Sequence, residues 1–188
     1  MFDRFDIRTT PMPESMRVLL NEYPRDSWDA HPGFKEKTKN WLGAHVMFRR
    51  LGELVTRETE LFLDRSREAD DYAARLSYYG DALVRNLHGH HHFEDHSYFP
   101  ELSAADPRFD RGLEILETDH EALDKVLHEF TDVANRTLKH IQLDEKSARD
   151  EVAKVHETSR AIEAFLARHL SDEEELAVPI ILHHRLRG

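Results

Sequence analysis

Residues 76–100 read LSYYGDALVRNLHGHHHFEDHSYFP and continue a leucine stripe with a histidine and a glutamate. The stripe runs, at alternating steps of four and three residues, through Leu76, Gly80, Leu83, Leu87, His90 and Glu94. This spacing places the side chains on one face of an α-helix and is typical of a face buried between helices. Ionisable groups on such a face are costly unless they are paired or bind a metal. The segment therefore predicts a core helix that carries two metal ligands.

Three other segments follow the same pattern. The predicted helices span residues 34–66, 69–103, 108–140 and 144–184. The other stripes contain Trp41, His45, Phe48 and Val55; Leu113, Leu116, His120, Leu123, Leu127 and Phe130; and Ile162, Leu166, His169, Glu173, Leu176 and Ile180. Each stripe thus includes a histidine, and the second and fourth add a glutamate one turn later.

Short connections make consecutive helices antiparallel neighbours. The sequence therefore predicts an all-α fold, an antiparallel up-down-up-down four-helix bundle over residues 34–188. Residues 1–33 contain four of the seven prolines and lack a sustained period, which predicts an N-terminal arm.

The composition limits the possible partners and compartments. The chain of 188 residues has 26 Lys and Arg against 37 Asp and Glu, a net charge of −11, and no long basic run. Nucleic acid is therefore not an expected partner. Cysteine is absent, which excludes disulfides and thiolate ligands. Because neither a signal-peptide core nor an apolar run of about 18 residues occurs, we expect a cytoplasmic protein with no membrane partner.

A His-x3-Glu-x5-Pro motif occurs twice, with an acidic residue after each glutamate. The two copies contain His90, Glu94, Asp95 and Pro100, and His169, Glu173, Glu174 and Pro179. A histidine and a glutamate four residues apart lie on the same helical face and can reach one site. The repeat indicates two helix pairs related by a pseudo-twofold axis, with both glutamates bridging two metals. Imidazole and carboxylate donors suit iron better than magnesium or calcium, which prefer oxygen ligands.

The run from His90 to Pro100, with His45 before it and His120 and His169-x3-Glu173 after it, resembles the hemerythrin-like, HHE cation-binding domain. The resemblance covers residues 34–184 and implies a four-helix bundle with two iron ions, bridged by carboxylates and an oxo or hydroxo group. Zinc is the expected substitute for iron at this site. Carried over by position, the resemblance implies metal ligation by His45, His90, His120 and His169 and bridging by Glu94 and Glu173.

Two departures separate this chain from known branches of that family. Oxygen-carrying hemerythrins have a second histidine one turn after the third-helix ligand, where this sequence has Asp124. Fewer imidazoles leave more open coordination positions, which argues against simple reversible oxygen carriage. The absence of cysteine near the N-terminus argues against the branch that repairs iron clusters.

The ligand choice within the histidine run stays open. The stripe and the repeat both select His90, and His91 is the main alternative. Ligating imidazoles commonly donate their second N–H to a carboxylate. Candidate partners of this kind are Asp95, Asp119 and Glu174.

Three functions fit the predicted centre, and none assigns a catalytic residue. The favoured one is binding or sensing of dioxygen, nitric oxide or a related small oxidant. The second is a di-iron oxidoreductase that acts on nitric oxide or peroxide, with electrons from an unidentified donor protein. The third is a non-catalytic iron or zinc site. The sequence favours binding over catalysis.

Overall fold

The computed structural model describes residues 5, 7–143 and 145–186, except for the side chains of residues 145–147. Within these ranges the chain is helical and contains no β-strand, which confirms the predicted all-α class. The α-helices are α1 (Val18–Glu22), α2 (Glu36–Leu63), α3 (Ala69–Phe93), α4 (Phe99–Ala105), α5 (Asp110–Leu143) and α6 (Glu145–His184). In these ranges, no helix combines the length and apolar composition needed to cross a bilayer.

The long helices α2, α3, α5 and α6 pack as a bundle. Helix α2 contacts α3 and α6, and α5 contacts the same two helices. Two hydrophobic clusters fill the interior, and the predicted ligands lie between them. On α2, His45 lies between Trp41 of one cluster and Phe48 of the other. The predicted site is therefore enclosed by apolar side chains at both ends.

The predicted stripes are the buried faces of the helices. Every stripe residue is buried apart from His90, whose side chain is 9% exposed. A stripe of apolar residues that is removed from water on all four helices provides most of the stabilisation of such a bundle. The same burial places the histidines and glutamates inside the bundle.

The second predicted helix, 69–103, is interrupted. A π-helical turn at Glu94–Tyr98 separates α3 from α4, and Pro100 lies in the first turn of α4. Proline has no N–H and its ring clashes with the carbonyl four residues earlier in a regular helix. The wider π turn avoids this conflict at the cost of one irregular turn.

The third predicted helix, 108–140, is longer in the structure than predicted. Helix α5 extends through Leu143 and α6 begins at Glu145, while residue 144 lies outside the described residues.

Residues 7–33, the N-terminal segment, pack on the bundle. The segment contains α1, which contacts α6. Its apolar anchors join the cluster that also contains Trp41; they are Met12, Met16, Leu19 and Trp28. These anchors hold the segment beside the helices that carry the predicted ligands.

Candidate metal centre

Seven side chains that can bind a metal lie in two adjoining groups in the bundle core. The first donor group consists of His45, His90, Glu94 and Glu173. The second donor group consists of His91, His120 and His169. Within each group, one ligand atom from every residue lies within 4.8 Å of the others. The structure thus brings together all six residues named from the sequence and adds His91.

The imidazole nitrogens within each group face one another. The Nε2 atoms of His45 and His90 are 3.0 Å apart, and those of His120 and His169 are 3.1 Å apart. Two nitrogens bonded to one cation at about 2.0–2.1 Å, as in zinc sites, lie roughly 3.0–3.4 Å from each other. Both separations therefore fit a cation held by each pair.

Glu94 faces both donor groups. Its Oε1 lies 2.7 Å from His90 Nε2, and its Oε2 lies 3.7 Å from His120 Nε2. The indole N–H of Trp41 donates a hydrogen bond to Oε1 at 2.6 Å, which holds the carboxylate in place. Burial opposes ionisation, but interactions with the nearby imidazoles of His45 and His90 outweigh it and lower the pKa of Glu94 well below 4.5. An ionised carboxylate is thus positioned to bridge the groups.

Glu173 faces the two groups from α6. Its Oε2 lies 3.5 Å from His45 Nε2 and 3.8 Å from His169 Nε2. Burial, together with the negative charge of Glu94, raises the pKa of Glu173 well above 4.5. Two neighbouring buried carboxylates disfavour each other's ionised form. Without metal these effects favour the protonated form of Glu173, whereas a nearby cation would favour the ionised form.

Several buried atoms at this centre have no hydrogen-bond partner among the described residues. They are Nδ1 and Nε2 of His91, Oε2 of Glu94, and Oε1 and Oε2 of Glu173. Each unsatisfied buried polar group costs about 1–3 kcal/mol, and native proteins leave few of them. Cations between the two groups would satisfy the carboxylate oxygens and an imidazole lone pair. The donor set therefore fits bound metal.

Three of the histidines direct Nδ1 away from the centre, toward carboxylates. The pairs are His120 with Asp95 (2.7 Å), His45 with Glu174 (3.0 Å) and His169 with Asp119 (3.4 Å). A carboxylate that accepts the Nδ1 proton leaves Nε2 free to bind a metal. These carboxylates are the three candidate partners named from the sequence, which did not assign them to particular histidines.

His91 is the donor that the stripe did not select. It is 4% exposed, and its ring stacks on His120 with 4.0 Å between ring centroids. Burial and the nearby imidazoles lower the pKa of His91 well below 6.5, which favours the neutral ring, the form that binds a metal. Consecutive helical residues point about 100° apart, which directs His90 and His91 to different groups. Asp124, which stands where oxygen-carrying hemerythrins have a second histidine, lies 3.5 Å from the exposed His88 and belongs to neither donor group.

His91→Ala is expected to lower the affinity of the protein for Fe(II) by more than about tenfold, since even the hydrogen-bond partners of ligands are worth about that much. The adjacent His92 is exposed and belongs to neither group, so His92→Ala is the matched control. Competition with a chelator measures both affinities. Equal affinities in the two variants would remove His91 from the centre.

A helical bundle whose core holds two adjoining donor groups, one of imidazoles and carboxylates and one of imidazoles, is the architecture of a metal-binding protein. The model of the hemerythrin HHE cation binding domain matches residues 36–181. The chain belongs to this family. Searches of curated proteins and of solved structures gave no match. The matched region contains both donor groups and begins after the N-terminal segment.

Proposed function

We propose that the protein binds or senses dioxygen or nitric oxide at a non-haem di-iron centre formed by the two donor groups. The observation that supports this most directly is the position of Glu94 and Glu173, which face both groups. Imidazole and carboxylate donors with open positions are the ligands of non-haem iron sites. Iron bound there would supply electron exchange with small oxidants.

The proposal includes the antiparallel up-down-up-down order of the bundle, with residues 1–33 as an arm and 34–188 as the bundle. Near the α2–α3 connection, the hydroxyl groups of Thr59 and Tyr72 are 3.2 Å apart. Farther along, His45 of α2 meets His90 of α3. Residue numbers fall on one helix as they rise on the other, which supports antiparallel packing.

An external ligand is expected at the first donor group, because that group has fewer imidazoles. Aromatic rings surround this group. The ring centroids of Trp41 and His45 are 4.3 Å apart, and those of Phe48 and His90 are 4.9 Å apart. Apolar walls exclude water and favour a small uncharged molecule over an ion. The side chains around the first group therefore suit a diatomic gas.

The reduced, iron-loaded protein is expected to change its optical spectrum when dioxygen or nitric oxide is admitted, and to recover when the gas is removed or reductant is added. The zinc-loaded protein is the control, since zinc has no redox chemistry and should give no change. Absorption spectroscopy under controlled atmosphere follows both samples.

Two results would redirect the proposal. Consumption of many equivalents of peroxide or nitric oxide per centre, with an added electron donor, would identify an oxidoreductase. An iron-loaded protein whose spectrum is indifferent to every gas would indicate a non-catalytic metal site.

A further inference from the structure

The N-terminal segment reaches the second donor group through Arg8. The Arg8 guanidinium binds Asp119 with two donors, Nε to Oδ1 at 3.0 Å and Nη2 to Oδ2 at 2.7 Å. Arg8 and Asp119 side chains are 15% and 5% exposed, and Nη2 also lies 2.7 Å from Asp172 Oδ2. Asp119 in turn lies 3.4 Å from Nδ1 of His169. A continuous series of contacts thus connects Arg8 to a histidine of the second group.

A parallel series of contacts connects Arg25 to the first donor group. Arg25 Nη1 donates to Glu174 Oε2 at 2.7 Å, and Glu174 Oε1 lies 3.0 Å from His45 Nδ1. Arg49 of α2 also donates to Glu174 Oε1, at 2.9 Å. Glu174 therefore keeps one guanidinium from the bundle itself, whereas the guanidinium that holds Asp119 comes from the N-terminal segment.

The backbone just after Arg8 is anchored. The carbonyl of Thr10 accepts hydrogen bonds from Arg8 at 2.6 Å and from Arg168 of α6 at 2.8 Å. Immediately afterwards, Met12 is 2% exposed. A guanidinium presented from an anchored backbone loses little further freedom when it binds its carboxylate.

We infer that the N-terminal segment holds the metal centre in its binding geometry, with Arg8 and Arg25 as positioning residues that act through Asp119 and Glu174. Two-donor binding by a guanidinium fixes the plane of a carboxylate, and the carboxylate fixes the orientation and tautomer of the imidazole. The arginines also compensate the buried negative charges, which would otherwise be costly. The inference rests on the metal site proposed above and concerns residues that precede the family match at residues 36–181.

Arg8→Gln in the full chain is expected to weaken Co(II) binding about tenfold, the lower end of the range for mutating residues that hold metal ligands. Arg25→Gln is expected to have a smaller effect, because Arg49 continues to hold Glu174. Arg8→Lys keeps the charge but not the two-donor geometry, so its affinity should fall between those of Arg8→Gln and the wild type. Competition between the protein and a chelator for Co(II) measures each affinity.

Arg17→Gln is the matched control. Arg17 lies in the same segment and pairs with Glu175 of α6 at 2.6 Å; Glu175 also accepts from Arg25 Nε at 3.3 Å, but it belongs to neither donor group and contacts neither Arg8 nor Asp119 in the described hydrogen bonds. The control therefore removes the same charge and a similar ion pair, and is expected to change Co(II) affinity by less than about twofold, as for other partly exposed pairs.

The midpoint potential of the iron-loaded protein is the second readout. Arg8→Gln is expected to lower it, because loss of a nearby positive charge favours the more oxidised metal. The shift should exceed that of Arg17→Gln. A change in packing alone would not produce this difference.

Equal Co(II) affinities and potentials in Arg8→Gln and Arg17→Gln would overturn the inference. If Arg8→Gln does not fold, as judged by the thermal melting of the metal-free variant, Arg8→Lys and Arg25→Gln replace it in the same comparison. A wild-type protein that binds no Co(II) would instead refute the metal centre itself.

Discussion

His169→Ala is expected to retain less than half of the iron of the wild type, which should bind about two ions per chain as in other two-metal sites. His169 is 1% exposed, and its Nε2 lies 3.1 Å from that of His120. Without it, the second donor group keeps two imidazoles and the core contains a cavity. Because Glu94 and Glu173 face both groups, loss of metal from one group weakens the other. His90→Ala is therefore also expected to retain less than half of the iron.

An element-resolved metal count on untagged protein measures these losses. His128→Ala is the control: His128 lies on the same helix as His120, but its side chain is 82% exposed and contacts Asp132. Circular dichroism of each variant checks that the bundle is folded. Full iron content in both His90→Ala and His169→Ala, or a single zinc that neither substitution removes, would refute the assignment of the centre.

Glu173→Gln is expected to stabilise the metal-free protein and to weaken metal binding. The buried Glu173 lies beside Glu94, and its pKa is raised well above 4.5. A carboxyl group whose pKa is higher in the folded state contributes stability below its unfolded pKa and loses it as the pH rises toward the folded pKa. Glutamine cannot ionise and avoids this loss. At about pH 8 the variant should therefore be more stable by about 1–3 kcal/mol, as when buried charges are replaced by neutral groups.

In the metal-bound protein, Glu173→Gln is expected to be unfavourable rather than stabilising. Glutamine provides no anion to compensate the positive charge of two cations, so the affinity for Fe(II) should fall by at least about tenfold. When the bound metal is removed from the wild type, no cation compensates the charges of Glu94 and Glu173, and their repulsion should destabilise the protein.

Urea unfolding of the metal-free proteins at about pH 5 and about pH 8 tests the stability difference and its dependence on pH. Glu175→Gln is the control, since Glu175 is 19% exposed and pairs with Arg17 outside both groups. A metal-free Glu173→Gln protein that is less stable than the wild type at the higher pH would contradict the proposed strain.

The sequence was sufficient to predict the all-α class and the buried faces of the four long helices. Helical periodicity determines which face of a helix is buried, so a histidine in a leucine stripe must face the core. This reasoning placed His90, Glu94, His169 and Glu173 at the centre, where the structure has them. The repeat also contains two of the acids that contact the histidines, Asp95 and Glu174, each of which directly follows a glutamate.

Periodicity could not select His91 or the arginines. His91 is one residue off the stripe, within the regular helix α3, and it is buried beside His120 of α5 and His169 of α6. Arg8 and Arg25 lie in a segment without a helical period, and they reach partners 111 and 149 residues away. Contacts of this kind depend on the assembled fold and have no local signal.

The large sequence separation between Arg8 and its partners affects the expected order of folding. Its partners Asp119 and Asp172 lie 111 and 164 residues farther along the chain. Contacts at such separation form late, because closing a long loop costs entropy before any contact is made. The helices can therefore assemble first and the N-terminal segment can dock afterwards. The N-terminal segment leaves the ribosome before the bundle and is nevertheless expected to dock after it, which would leave the centre open to metal until that last step.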